Sequence, residues 1–189
     1  AIINYMSAHD NHTLWDKLAL SNANNSVDER LAMNRVGAAI LMLSQGTPFM
    51  QAGEEMLRTK NGDENSYKSS DDVNNINWEA LTPDSNEYKM MNYYKGLIEL
   101  RKSSFVLTSQ GQTSVSFNRL SSGGMTALFN SYKGESVLAL INPTSNADSH
   151  TLDGEWKLLS DGTQAGADVI EKVSGTINIP AYTVIILSK

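Results

Sequence analysis

The sequence of 189 residues contains no cysteine, which excludes disulfides and thiol chemistry and leaves the redox compartment undecided. It has no apolar run near the roughly 18 residues that a membrane-spanning helix needs. No charged leader or signal-like region precedes the apolar residues at Ala1, Ile2 and Ile3, so the chain reads as if something before it were missing. Long blocks of like charge are also lacking. Fifteen Lys and Arg stand thinly spread against 21 Asp and Glu, for a net charge of −6. That balance argues against a nucleic-acid footprint, and the expected partners include neither nucleic acid nor membrane. The length allows one or two domains and a sizeable buried core.

What the chain does have is concentrated at its start, AIINYMSAHDNHTLWDK. Ile2, Ile3, Tyr5 and Met6 suit a short strand, and it runs straight into a polar cluster, His9, Asp10, Asn11, His12 and Thr13. Delivering acid, imidazole and amide groups at the C-terminal end of an apolar strand is how parallel α/β enzymes present chemistry. On a continuing strand His9 and Asp10 would face opposite ways, so they share a pocket only if the chain turns there. Asn11, His12 and Thr13 favour such a turn. His9 and His12 could be mistaken for half of a metal site, but no further ligands accompany them and no helix is expected at that spacing, so none is expected.

A helix is predicted over residues 27–45, with Ser26 and Glu29 spaced as a capping box and Gly46 just beyond its end. Residues 47–53 read as a second buried strand, so 2–53 forms one strand–helix–strand unit with parallel strands. Residues 54–78 form a loop rich in Asn, Asp, Ser and Gly, of a length usually tied to function. A second helix is expected over 85–102, with Met90, Met91, Tyr94, Leu97 and Ile98 as its buried stripe. Beyond about residue 104 the pattern changes to short alternating runs, at 114–120, 125–132, 136–142, 155–159, 177–179 and 182–187, punctuated by Gly, Pro, Asn and Asp turns. The fold class is therefore α/β followed by all-β, with residues 1–104 as the first domain and 105–189 as a C-terminal antiparallel β-sandwich. Trp78 and Trp156 read as core residues of helix and sandwich.

The run NYMSAHDNHTLWD at residues 4–16 resembles the seventh-strand motif of the α-amylase superfamily of glycoside hydrolases, and specifically that of the type I pullulanases, which debranch pullulan, starch and glycogen at α-1,6 bonds. GTPFMQAGEE at 46–55 resembles the eighth barrel strand, and LRTK through NSY at 57–67 the loop that follows it. The resemblance implies that residues 1–104 are the last two strand–helix units of a (β/α)8 barrel. The remainder of the barrel would be an upstream segment of the same protein.

It further implies a retaining mechanism in which the nucleophilic Asp and the acidic Glu sit on earlier strands. Asp10 would then be the third carboxylate, which stabilises the transition state, with His9 beside it on a sugar hydroxyl. Asn11, Arg58, Asn65 and Tyr67 are candidate substrate-binding residues, since they offer the donors, acceptors and ring faces that polyhydroxylated ligands need. Asp10 with Glu54 or Glu55 could instead mimic the two carboxyl groups of a retaining glycosidase, about 5–5.5 Å apart, but the family pattern leaves Glu54 and Glu55 structural. No cofactor is expected, and no calcium-ligand pattern is present. An α-glucan polysaccharide is the expected partner, an extracellular or cell-surface location is slightly favoured, and the fragment alone is expected to be inactive. The alternative is a non-catalytic structural or glycan-binding module.

Overall fold

The computed structural model describes residues 2–108, 113–131 and 133–189. Ala1 and Tyr132, the expected ends of two strands, lie outside the described residues. Strands β1 (Ile3–Asn4) and β2 (Thr47–Pro48) pair in parallel, Ile3 opposite Thr47 and Asn4 opposite Pro48. Both are shorter than their apolar stretches. Among the described residues each has only the other as a ladder partner, and Pro48 has no N–H to donate.

The connection between them carries two helices where the sequence predicts one, α1 (Leu14–Ser21) and α2 (Val27–Leu43). Helix α1 starts because the Thr13 hydroxyl accepts from the Asp16 amide at 3.1 Å, satisfying one of the orphan donors of its first turn. Helix α2 has the expected capping box, in which Ser26 and Glu29 each accept from the other's amide. Gly46, two residues beyond the α2 cap, takes φ +110°, and a Cβ there would lie 2.7 Å from the Ile2 carbonyl. Only glycine lets the chain turn from α2 into β2 this close to β1.

The loop after β2 contains single 3-10 turns at Glu54–Met56, Ser66–Lys68 and Trp78–Ala80 and the short helix α3 (Asp71–Asn74). Trp78 does not join a helix core. It is 64% exposed and opens a 3-10 turn that ends before the next helix begins. Helix α4 (Asn86–Ser103) is capped by Ser85, whose hydroxyl accepts from the Tyr88 amide, and buries Met90, Tyr93, Tyr94, Leu97 and Leu100. A further turn of helix, α5 (Phe105–Thr108), follows where the sequence pattern already suggests strands. It is held by Glu135, which accepts from the Ser104 hydroxyl at 2.6 Å and the Val106 amide at 3.1 Å.

The remainder is antiparallel β. Strands β3 (Thr113–Arg119), β4 (Met125–Ser131), β5 (Ser136–Asn142), β6 (Asp148–Thr151), β7 (Trp156–Ser160), β8 (Glu171–Val173), β9 (Thr176–Ile179) and β10 (Thr183–Ser188) form two sheets. The larger runs β3-β4-β5-β10-β7-β8, and β6 pairs with β9 in the smaller. Strands β6 and β8 have no counterpart in the sequence reading. The central strands β5 and β10 are buried on both faces. Val137, Ala139, Ile141, Val184 and Ile186 join the core formed with α2 and α4, whereas Leu138, Leu140, Ile185 and Leu187 pack with Trp156 and Ile179 on the other face. This is why their sequences are nearly continuous apolar runs rather than alternations. One hydrophobic core thus joins the helices to the large sheet. At its tightest point Gly96 of α4 lies so near Ala165 that a Cβ would fall 1.8 Å from the Ala165 carbonyl oxygen.

Candidate functional site

Beyond β1 the chain turns, with Asn11 in the left-handed region at φ 64°, a conformation asparagine tolerates. The turn lets the neighbouring His9 and Asp10 side chains approach. Nε2 of His9 lies 3.6 Å from Oδ2 of Asp10, with the two side chains 89% and 82% exposed. The Asp10 carboxylate makes no other contact among the described residues, so its oxygens are open to a ligand. Asn11 is exposed beside them.

The loop after β2 is fastened to this turn. Asp16, buried in the first turn of α1, accepts from the Thr59 hydroxyl at 2.5 Å and the Lys60 amide at 2.8 Å. Lys60 then sends its ammonium back to the turn, donating to the His9 carbonyl at 3.2 Å and to the Ser66 hydroxyl at 2.7 Å. His12 pairs with Glu64 at 3.5 Å. Of the residues expected to touch substrate, Asn65 and Tyr67 sit exposed on the same loop, the amide of Asn65 donating to Asp63 and the ring of Tyr67 lying under Lys68. Arg58 is committed to the loop's own backbone. Its guanidinium donates to the carbonyls of Ala52 and Asn74, and it lines a polar cleft of about 420 Å³ with Asn61, Asp72, Asn75 and Asn77. Trp15 packs against the core and Asp16 fastens the loop. Among the described residues no group of three His, Cys, Asp or Glu side chains gathers as a metal site requires.

Glu54 and Glu55 have structural partners. Buried Glu54 accepts from the hydroxyls of Ser7 at 2.5 Å and Tyr94 at 3.2 Å, while Glu55 accepts from the Gly53 amide. Burial pushes the Glu54 carboxyl above the ordinary carboxylate range, against the opposing pull of the Ser7 and Tyr94 hydroxyls. The folded state then holds the proton more tightly than the unfolded chain. The contribution of Glu54 to stability is complete below the unfolded value near pH 4.3 and is lost as pH rises through the higher folded value. Replacing Glu54 by Gln should therefore flatten the fall of thermal unfolding temperature as pH is raised from about 4 to 7. Identical pH slopes for the two proteins would contradict this.

Lys60 and Ser7 escaped the sequence reading, as did the fastening of the loop by Asp16. Thr13 and Asp16 do carry a signal, the hydroxyl and acid three apart that mark a helix start. Nothing in the sequence marks the crossings from Asp16 to Thr59 or from Ser7 to Glu54, which link residues 43 and 47 positions apart.

The pullulanase of Bacillus subtilis strain 168 is 41% identical over 100 residues, covering 53% of this chain and 14% of its own length. The solved structure of a pullulanase from Bacillus acidopullulyticus superposes with a TM-score of 0.89 over 99% of this chain at 30% identity. The chain is similar to these pullulanases, in structure along nearly its whole length. Its match extends through both the helical part and the antiparallel sheets, consistent with the C-terminal portion of a type I pullulanase. A pullulanase from Anoxybacillus sp. LM18-11, solved in complex with maltotetraose, superposes over 99% of this chain with a TM-score of 0.79 at 28% identity. The chain spans only 24% and 27% of these two pullulanase structures. No protein-family profile matches it.

Proposed function

We propose that this chain is part of an α-1,6-glucan debranching glycoside hydrolase acting by a retaining mechanism on pullulan, starch or glycogen. In this reading residues 1–104 are the last two strand–helix units of a (β/α)8 barrel, and residues 105–189 are the antiparallel domain behind it. The observation that carries the proposal is an open His9–Asp10 pair at the turn ending a parallel strand, within a chain that superposes on pullulanases almost end to end. Active sites of such barrels lie at that end of the strands.

The nucleophile and general acid belong to strands outside these residues. Asp10 accepts ring hydroxyls of the sugar at the cleavage point, and these bonds strengthen as the ring distorts and oxocarbenium character develops. His9 holds a neighbouring hydroxyl. Asn11, Asn65 and Tyr67 extend the polar surface on which the glucan lies, as does Arg58 through its cleft. The maltotetraose in a relative's structure supports an α-glucan as ligand. The chemistry needs carboxyl groups alone and no cofactor.

The test is reducing-sugar release from pullulan by the full-length protein and its Asp10→Asn variant. A drop in kcat of about 10²-fold with KM changed little is expected, the scale of removing one preorganised group at developing charge. Turnover within twofold of the parent would refute the role of Asp10. The isolated residues 1–189, holding one of three carboxylates, should release no reducing sugar.

A further inference from the structure

Lys60 is a buried cation with an unusual set of partners. Only 4% of it is exposed, and lysine is rarely buried so completely unless paired. Yet the ion pairs among the described residues do not include it. They join His9 to Asp10, His12 to Glu64, Lys172 to Glu155 and Lys189 to Asp153. The ammonium rests on two neutral oxygens, the Ser66 hydroxyl and the His9 carbonyl. That carbonyl belongs to the peptide unit joining His9 to Asp10. A peptide unit is a rigid plane, so holding its oxygen restricts ψ of His9 and φ of Asp10 together, the two rotations that aim the imidazole and the carboxylate. The other end of the tether is equally fixed. The Lys60 amide and the Thr59 hydroxyl both end on the Asp16 carboxylate, which helix α1 carries a few residues beyond the turn.

We infer that Lys60 is a positioning residue for the His9–Asp10 pair, acting through the peptide between them, with Asp16 as its anchor. The inference rests on the reading of Asp10 as the transition-state carboxylate. Both side chains of the pair are nearly bare to solvent, so no packing aims them and their backbone must. An uncharged side chain of similar length that cannot donate would leave the fold and release the aim.

The experiment is a double-mutant cycle in the full-length protein, with kcat and KM on pullulan for the parent, Asp10→Asn, Lys60→Met and the double variant. Thermal unfolding is recorded for each. Lys60→Met should lower kcat by about 10- to 100-fold, the cost of misplacing a reacting group by a fraction of an ångström to an ångström, with KM changed less than about threefold. In the Asp10→Asn background the same substitution should add less than about threefold, since residues acting as a unit are non-additive. Full additivity of the two losses would overturn action through Asp10. A normal kcat for Lys60→Met beside an impaired Asp10→Asn would overturn the positioning role and leave the function of Asp10 standing, whereas a normal Asp10→Asn would remove the proposed function itself. Should Lys60→Met fail to fold, Lys60→Gln takes its place in the cycle. Gln keeps a donor of shorter reach, so a kcat between those of parent and Asp10→Asn is expected, and parental kcat would again overturn the inference.

Discussion

Replacing Asn142 by Asp is expected to lower the unfolding free energy by about 4 kcal/mol, the scale of leaving a charge buried and uncompensated. Asn142 is wholly buried at the end of β5. Its amide nitrogen, with two hydrogens to donate, faces three carbonyls, those of Asn146 at 2.8 Å, Pro180 at 2.9 Å and Ile179 at 3.3 Å, so one hydrogen is shared between two of them. Its carbonyl accepts from the Thr144 amide at 3.1 Å and hydroxyl at 2.8 Å. One side chain thereby closes the loop after β5 and pins it to the crossing from β9 to β10. The substitution keeps the shape and turns the donor into an acceptor facing three other acceptors, with a charge added. Urea denaturation at pH 7 should show the loss. The deficit should shrink as pH falls, because burial raises the pKa of the new carboxyl and its protonation restores one donor. A loss below about 1 kcal/mol, the worth of one ordinary hydrogen bond, would mean that water replaces the network.

Where a structural feature depends on neighbours in the chain, the sequence reveals it. The start of α2 is such a case, since Ser26 and Glu29 cap each other across three residues. So is β5, whose apolar run from Val137 to Ile141 is buried on both faces. The turn that lets His9 and Asp10 approach is local too, carried by Asn11. Features decided by distant partners stay hidden. Strand β8 reads as polar loop because Glu171 and Lys172 are exposed, and it exists only as the edge that pairs with β7. Strand β6 is equally polar and exists through β9. Helix α5 follows the pattern change at residue 104 yet is helical because Glu135, from the hairpin between β4 and β5, caps it. The site divides in the same way. Its open residues follow a strand and are visible as a cluster, while Asp16 and Lys60 acquire meaning only when the loop after β2 folds back on α1.

The turn from α2 into β2 has its own anchor, Arg101, and it yields the other large effect. Arg101→Met should destabilise the protein by about 3–4 kcal/mol, since each buried carbonyl left without a donor costs roughly 1–3 kcal/mol and relaxation recovers part of the sum. Arg101, near the end of α4 and 9% exposed, donates to the carbonyls of Met42 at 2.5 Å, Ser44 at 2.9 Å and Gly46 at 2.7 Å. These are the last carbonyls of α2 and of the turn into β2, which the helix itself cannot satisfy. A cation there also meets the negative end of the α2 dipole. Burial lowers the Arg101 pKa somewhat, but an arginine remains charged throughout the accessible pH range. Methionine would fill much of the space and satisfy none of the three oxygens. Lysine would keep the charge yet lack the planar fork, and is expected to recover less than half of the loss. The comparison of urea midpoints for parent, Arg101→Lys and Arg101→Met separates the two contributions. Equal midpoints for Lys and parent would show that charge alone holds the end of α2. A large gap between them would show that the geometry of the guanidinium does, beside β2 and the strand β1 that precedes the turn bearing His9 and Asp10.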